Sequence, residues 1–163
     1  MTERFWEGII QVGGVIAGGV VAILGSIATA ILQSRREERR VAREAVGTAA
    51  RRLSRVCSLT QAGSQLTANR DAQMENSRAC ADEFDELSII LFSGLKQPPQ
   101  KADDLMREAR LLCACWKALA TRLWEGDEKE KSARSTKIGE LTARIYTIAA
   151  ELRPLVRAVW GVR

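Results

Sequence analysis

Histidine is absent from this 163-residue chain. Its absence removes the commonest general base and the commonest metal ligand in one step. Also missing are a G-x-x-x-x-G-K-[ST] phosphate loop, a G-x-S-x-G nucleophile turn and an H-E-x-x-H zinc helix. Nowhere do apolar and polar residues alternate with period two between turn signals, so the pattern predicts no strand and an all-α class. These absences argue against an enzyme, and no catalytic, cofactor or metal site is nominated. Lysine is scarce beside arginine and alanine is abundant, a composition that points to a GC-rich bacterial genome.

The longest gap is a gap in charge. No residue from 8 to 33 is charged, and residues 9–32 form an apolar run broken only by Gln11, Ser26 and Thr29. At about 1.5 Å per residue, a helix of that length spans a hydrocarbon core of about 30 Å with some tilt. The run therefore predicts a transmembrane helix over 9–32, behind a short extracytoplasmic N-terminus (1–8) whose Phe5 and Trp6 form an interfacial anchor. A cleaved signal peptide is the rival, because Ala28-Thr29-Ala30 imitates a cleavage site. Glu3 and Glu7 in the leader, the length of the run and the arginines directly behind it oppose cleavage.

Net charge is +5, and the whole surplus lies in residues 33–56, where eight arginines meet only Glu37, Glu38 and Glu44. A nucleic-acid binder usually carries its basic face on the folded body, so nucleic acid is not expected as a partner. Arg35, Arg36, Arg39, Arg40 and Arg43 instead satisfy the positive-inside rule and suit anionic lipid. They place the C-terminal domain in the cytoplasm, beneath an inner (plasma) membrane crossed once. Glu37 with Arg40, and Arg40 with Glu44, have the spacing of intrahelical ion pairs.

Six of the twelve glycines lie between Gly8 and Gly25. At 100° per residue, Gln11, Gly14, Gly18, Ala22, Gly25 and Thr29 share one stripe about 80° wide, and bulky Ile and Val residues occupy the opposite side. Small residues let two membrane helices approach closely, as in the G-x-x-x-G mode that Gly14 and Gly18 satisfy, and Gln11 or Thr29 adds an interhelical hydrogen bond. The stripe predicts a homo-oligomer.

Beyond the bilayer the helix is expected to continue as a basic stalk into a first bundle helix (33–69). Its seam reads Val46, Ala49, Leu53, Val56, Thr60, Gly63 and Thr67. Three further helices follow over 70–163. After a turn at 69–76, Cys80, Phe84, Leu87, Ile90 and Leu91 mark one, with Asp82, Glu83, Asp85 and Glu86 on its outer faces. Pro98 and Pro99 interrupt the chain. The next carries Leu105, Ala109, Leu112, Trp116, Leu119 and Leu123. A charged loop at 127–131 precedes the last, with Ile138, Leu141, Ile145, Ile148, Leu152, Leu155 and Val159 and a kink at Pro154. Short connections favour an antiparallel four-helix bundle. Trp160, near the C-terminus, is either a third interfacial anchor at the headgroups or part of the bundle's lower core.

Cys57, Cys80, Cys113 and Cys115 are expected to be reduced, buried thiols in the cytoplasm. Cys113 and Cys115 diverge by about 200° on a helix and cannot share a tetrahedral ion. Trp116 and Trp124, eight residues apart, read as core and groove residues on one helix face.

The glycine-rich residues 13–25 followed by Gln33-Ser34-Arg35-Arg36-Glu37-Glu38-Arg39-Arg40 look like the opening of a loose class of bacterial single-pass membrane proteins. In outline the chain is also similar to small membrane effectors of bacterial anti-phage loci. Some of those pair a membrane helix with a nuclease-like helical bundle, but they use an Arg-x(4–6)-His motif that a chain without histidine cannot carry. The expected function is a membrane-anchored helical interaction module that self-associates and presents its bundle to a cytoplasmic protein partner. The alternative is a pore-forming or membrane-perturbing effector with a regulatory bundle.

Overall fold

The computed structural model describes the backbone of residues 2–65, 69–94 and 96–162, and their side chains from residue 25 onward. Four helices account for nearly all of it: α1 (Thr2–Gln65), α2 (Arg70–Phe92), α3 (Gln100–Thr121) and α4 (Glu128–Val159). No strand occurs among the described residues. The chain divides into two units, Met1–Val41 and Ala42–Arg163.

In the first unit the chain is helical throughout its described length, and every described side chain, from 25 to 41, is exposed. The second unit is where the sequence builds a core. Each of its helices buries residues at intervals of three and four, the period that keeps one stripe facing inward. On α1 the stripe is Ala49, Leu53, Val56, Thr60 and Gly63; on α2 it is Gln73, Ser77, Cys80, Phe84, Leu87 and Leu91. Leu105, Ala109, Cys113 and Trp116 continue it on α3, and Ile138, Ile145, Ile148 and Leu152 on α4.

Cross-helix contacts give the topology. Gly63 contacts Gln73, while eleven residues earlier Arg52 reaches Glu83 and Glu86, so α1 and α2 run oppositely. Arg110 pairs with Asp85 and Thr121 with Met74, which sets α3 against α2. Lys101 meets Glu151 and Arg134 reaches the Arg122 carbonyl, which sets α4 against α3. Gly63 beside Thr142, and Cys57 beside Arg153, close α4 back onto α1. The second unit is an antiparallel up-down bundle, as its short connections suggest.

The helix boundaries differ from the sequence expectation where capping decides them. α2 begins at Arg70 rather than beyond 76, because the Asn69 side chain accepts a hydrogen bond from the Ala72 amide at 3.1 Å. Asp127 does the same for Glu130 at 2.8 Å, so the expected charged loop at 127–131 is instead the first turn of α4. α4 continues through Pro154 to Val159. Past the end of α3, Gly126 adopts φ 80°, in the left-handed region that favours glycine. The Arg134 guanidinium then donates to the Arg122 and Glu125 carbonyls, satisfying acceptors that the end of a helix leaves open.

Three placements correct or narrow the sequence reading. Glu83 is not on an outer face: it is 6% exposed, accepts a hydrogen bond from Arg52 and forms an ion pair with Arg55. Of the two places expected for Trp160, the structure shows the one in the bundle core. The side chain is buried, with its indole donating to the Ile90 carbonyl at 3.2 Å. Trp116 and Trp124 part company, the first fully buried and the second exposed, because α3 ends at Thr121 and its register with it.

Candidate functional site

The residues proposed for association fall on both sides of the described boundary. The side chains of Gln11, Gly14, Gly18 and Ala22, and of the anchor residues Phe5 and Trp6, lie outside the described residues. Gly25 and Thr29 lie within them and are exposed, and a Cβ placed on Gly25 meets nothing within 4 Å. The Thr29 hydroxyl donates to the Gly25 carbonyl at 2.7 Å. Its proton is therefore used within the helix, and a partner helix would find it as an acceptor.

Ile27, Ile31, Leu32 and Val41 are half-exposed in the same stretch of helix. Among the described residues, no helix is long and apolar enough to cross a membrane. Of the 24-residue apolar run, only the last eight positions belong to the described side chains.

Arg35, Arg36, Arg39, Arg40 and Arg43 are all exposed. The intrahelical pairs expected of Arg40 with Glu37 and Glu44 do not form, and among the described residues none of the five arginines has an ion-pair partner. Five such guanidinium groups lie within nine residues of helix. That is a strong local positive field for any anionic surface.

The bundle holds its charges differently. Arg144 clasps Glu108 through two bonds of 2.7 and 2.8 Å and reaches Glu151 at 3.4 Å, tying α3 to α4. The hydrogen bonds from Arg144 hold the Glu108 carboxyl below the usual carboxylate range. Any stability the pair gives is present above that range and lost as pH falls through the lowered value. Glu83, between Arg52 at 3.0 Å and Arg55 at 3.2 Å, ties α1 to α2. No sequence-local signal announces this pairing, because the partners are about thirty residues apart.

A groove of about 410 Å³ runs between α1 and α4. It is lined by Thr60, Gln61, Ser64, Gly139, Thr142, Ala143, Tyr146 and Thr147, with no charged side chain among them. The Thr60, Ser64, Thr142 and Thr147 hydroxyls all donate to carbonyls of their own helices, at 2.8 to 3.1 Å. Such a wall offers acceptors and apolar surface. It does not present a nucleophile beside a base.

The expectation of four buried thiols holds for Cys80 and Cys113 but not for Cys57, which is half-buried, or Cys115, which is exposed; two positions apart on a helix, Cys113 and Cys115 point to different sides. Among the described residues, no group of three His, Cys, Asp or Glu side chains is placed to hold a metal ion. A hydrogen bond with Cys113, together with burial, pushes the Cys80 thiol far up from its ordinary value. Alkylation by iodoacetamide in the folded state is expected to reach Cys115 first, Cys57 more slowly, and Cys80 and Cys113 only on unfolding. Peptide mass mapping over a time course reads that order, and early labelling of Cys80 would contradict the packing.

Set against known protein families, curated proteins and solved structures, the chain matches none of them.

Proposed function

We propose that the chain is a single-pass, membrane-anchored interaction module. Residues 9–32 lie in the bilayer, the glycine stripe joins copies, and the bundle stands on the cytoplasmic side for a protein partner. The observation that carries this reading is the exposed end of the apolar run. Ile27, Ile31 and Leu32 are about 50%, 49% and 56% exposed, and only a few residues on begin five arginines without an ion-pair partner among the described residues. Apolar side chains in a row on a helix that the chain itself leaves bare favour a non-aqueous environment, by about 25 cal/mol per Å² covered. Arginines immediately behind them resist translocation.

The test uses native residues. The full chain, expressed in bacteria, should stay with the membrane pellet through alkaline carbonate washing and leave it only with detergent. A membrane-impermeant maleimide should label Cys115, the exposed thiol, in opened cells and not in intact ones. Gly18→Ile should then shift the detergent-solubilised protein to smaller assemblies by mass photometry, with Ile16→Leu on the opposite side of the helix as the matched control. A chain recovered without detergent would overturn the anchoring, and unchanged assemblies in Gly18→Ile would overturn the stripe.

A further inference from the structure

Two helix faces of the bundle are left uncovered, and they complement each other. On α2, Asp82, Asp85, Glu86, Ile89 and Phe92 fall within about 120° of arc. All five are exposed, Ile89 and Phe92 by 64% and 65%. On the bundle part of α1, Arg43, Gly47, Ala50, Arg51 and Ser54 fall within about 100° and face away from the core seam. Arg43 has no ion-pair partner among the described residues, and Arg51 bonds only the neighbouring Thr48 hydroxyl, at 3.0 Å. A Cβ on Gly47 would meet nothing within 4 Å. One face is acidic with two bulky apolar side chains; the other is basic with small ones.

The chain already uses this pairing inside one bundle. Its antiparallel α1–α2 contact is fastened by Arg52 to Glu83 and Glu86, and by Arg55 to Glu83. We propose that the outer face of α2 docks, in the same antiparallel sense, on the outer face of α1 in a second copy. In that register Ile89 and Phe92 lie over Gly47, while Arg51 sits among Asp82, Asp85 and Glu86. An anionic lipid surface is the wrong partner for the α2 face, since three carboxylates repel it. Because the two faces differ, the contact is heterologous, and repeating it gives a ring or an open row rather than a closed pair. The inference rests on the reading that the chain self-associates, and it adds where the cytoplasmic parts meet.

Charge reversal on the full-length, purified chain tests it. Asp82 has no ion-pair partner in its own chain among the described residues, and Arg51 pairs with no carboxylate, so Asp82→Arg and Arg51→Asp leave the internal network in place. Each single variant should weaken higher assembly at least tenfold by mass photometry, and the double variant should restore it. Circular dichroism melts check that each is folded. If either reversal unfolds the chain, Ile89→Gln with Phe92→Gln, two surface changes, should lower assembly without lowering the melting temperature. Single reversals that assemble like wild type, or a double variant that fails to recover, would overturn the contact. If wild type assembles and Gly18→Ile dissociates it while Asp82→Arg does not, the docking fails and the membrane stripe stands. A wild-type chain that is monomeric sinks both.

Discussion

Replacing Gly63 with alanine is expected to lower the stability of the bundle by about 2 kcal/mol, while the same change at Gly139 raises it by about 0.5–1 kcal/mol. Both glycines lie inside helices, where alanine is intrinsically the better residue because glycine loses more backbone freedom on folding. At Gly139 nothing offsets that gain, since a new Cβ has open space within 4 Å. At Gly63 the Cβ lands 2.8 Å from Cη2 of Trp116 and 3.4 Å from Cγ2 of Thr142. A flexible side chain would give way. The Trp116 indole cannot, because it is fully buried and its Nε1 is held by Gln73 at 2.6 Å. Urea unfolding of the full chain followed by tryptophan fluorescence reads both variants. A Gly63→Ala midpoint at or above that of wild type would mean the indole has room to move.

The same corner of the bundle shows what the sequence made legible. Apolar periodicity placed Leu53, Val56, Phe84, Leu87, Ile145 and Ile148 in the core, because burying them is the main favourable term and leaves a 3,4 spacing behind. Gln73 and Ser77 continue the α2 seam in perfect register but are polar, so apolar periodicity alone does not show where that helix begins. The register was the usable signal: Gln73, Ser77, Cys80 and Phe84 are spaced by four, three and four. Glu83 escapes such a reading for a different reason. Its burial depends on Arg52 and Arg55 from another helix, and no local pattern encodes a partner that distant. Apolar periodicity does not place Trp124, because α3 ends at Thr121 and Gly126 turns the chain just beyond it.

The five exposed arginines show the reverse case. Sequence spacing offered Arg40 two intrahelical carboxylates, and the structure leaves them apart. Exposed pairs of this kind are worth about 0.3–0.5 kcal/mol each, little more than the side-chain entropy they cost. What remains is a concentrated positive charge next to an apolar run. Its field acts on anionic surfaces rather than on helix stability, which is why the proposed anchoring draws on it and the fold does not.

Gln73→Leu is expected to cost about 3 kcal/mol, more than removing two ordinary hydrogen bonds would suggest. Gln73 is wholly buried and links three helices. Its Nε2 donates to the Gly63 carbonyl near the end of α1, and its Oε1 accepts from the Trp116 indole. Leucine preserves most of the volume but deprives two groups of their partner in a place water does not reach. The indole N–H, on a fully buried ring, then has no acceptor, and the Gly63 carbonyl loses the glutamine donor. Desolvation of such orphans, not the lost attraction, sets the size of the effect. The consequence is strong non-additivity. Trp116→Phe alone removes the donor and leaves the Gln73 oxygen unsatisfied, so it too is costly. Combining it with Gln73→Leu should cost about 1–2 kcal/mol less than the two single changes added together, because neither partner is then left behind. Equilibrium unfolding of the four chains in the cycle measures that coupling. A coupling near zero would mean that the glutamine and the indole act independently, and that Trp116 is held against Gly63 by packing alone.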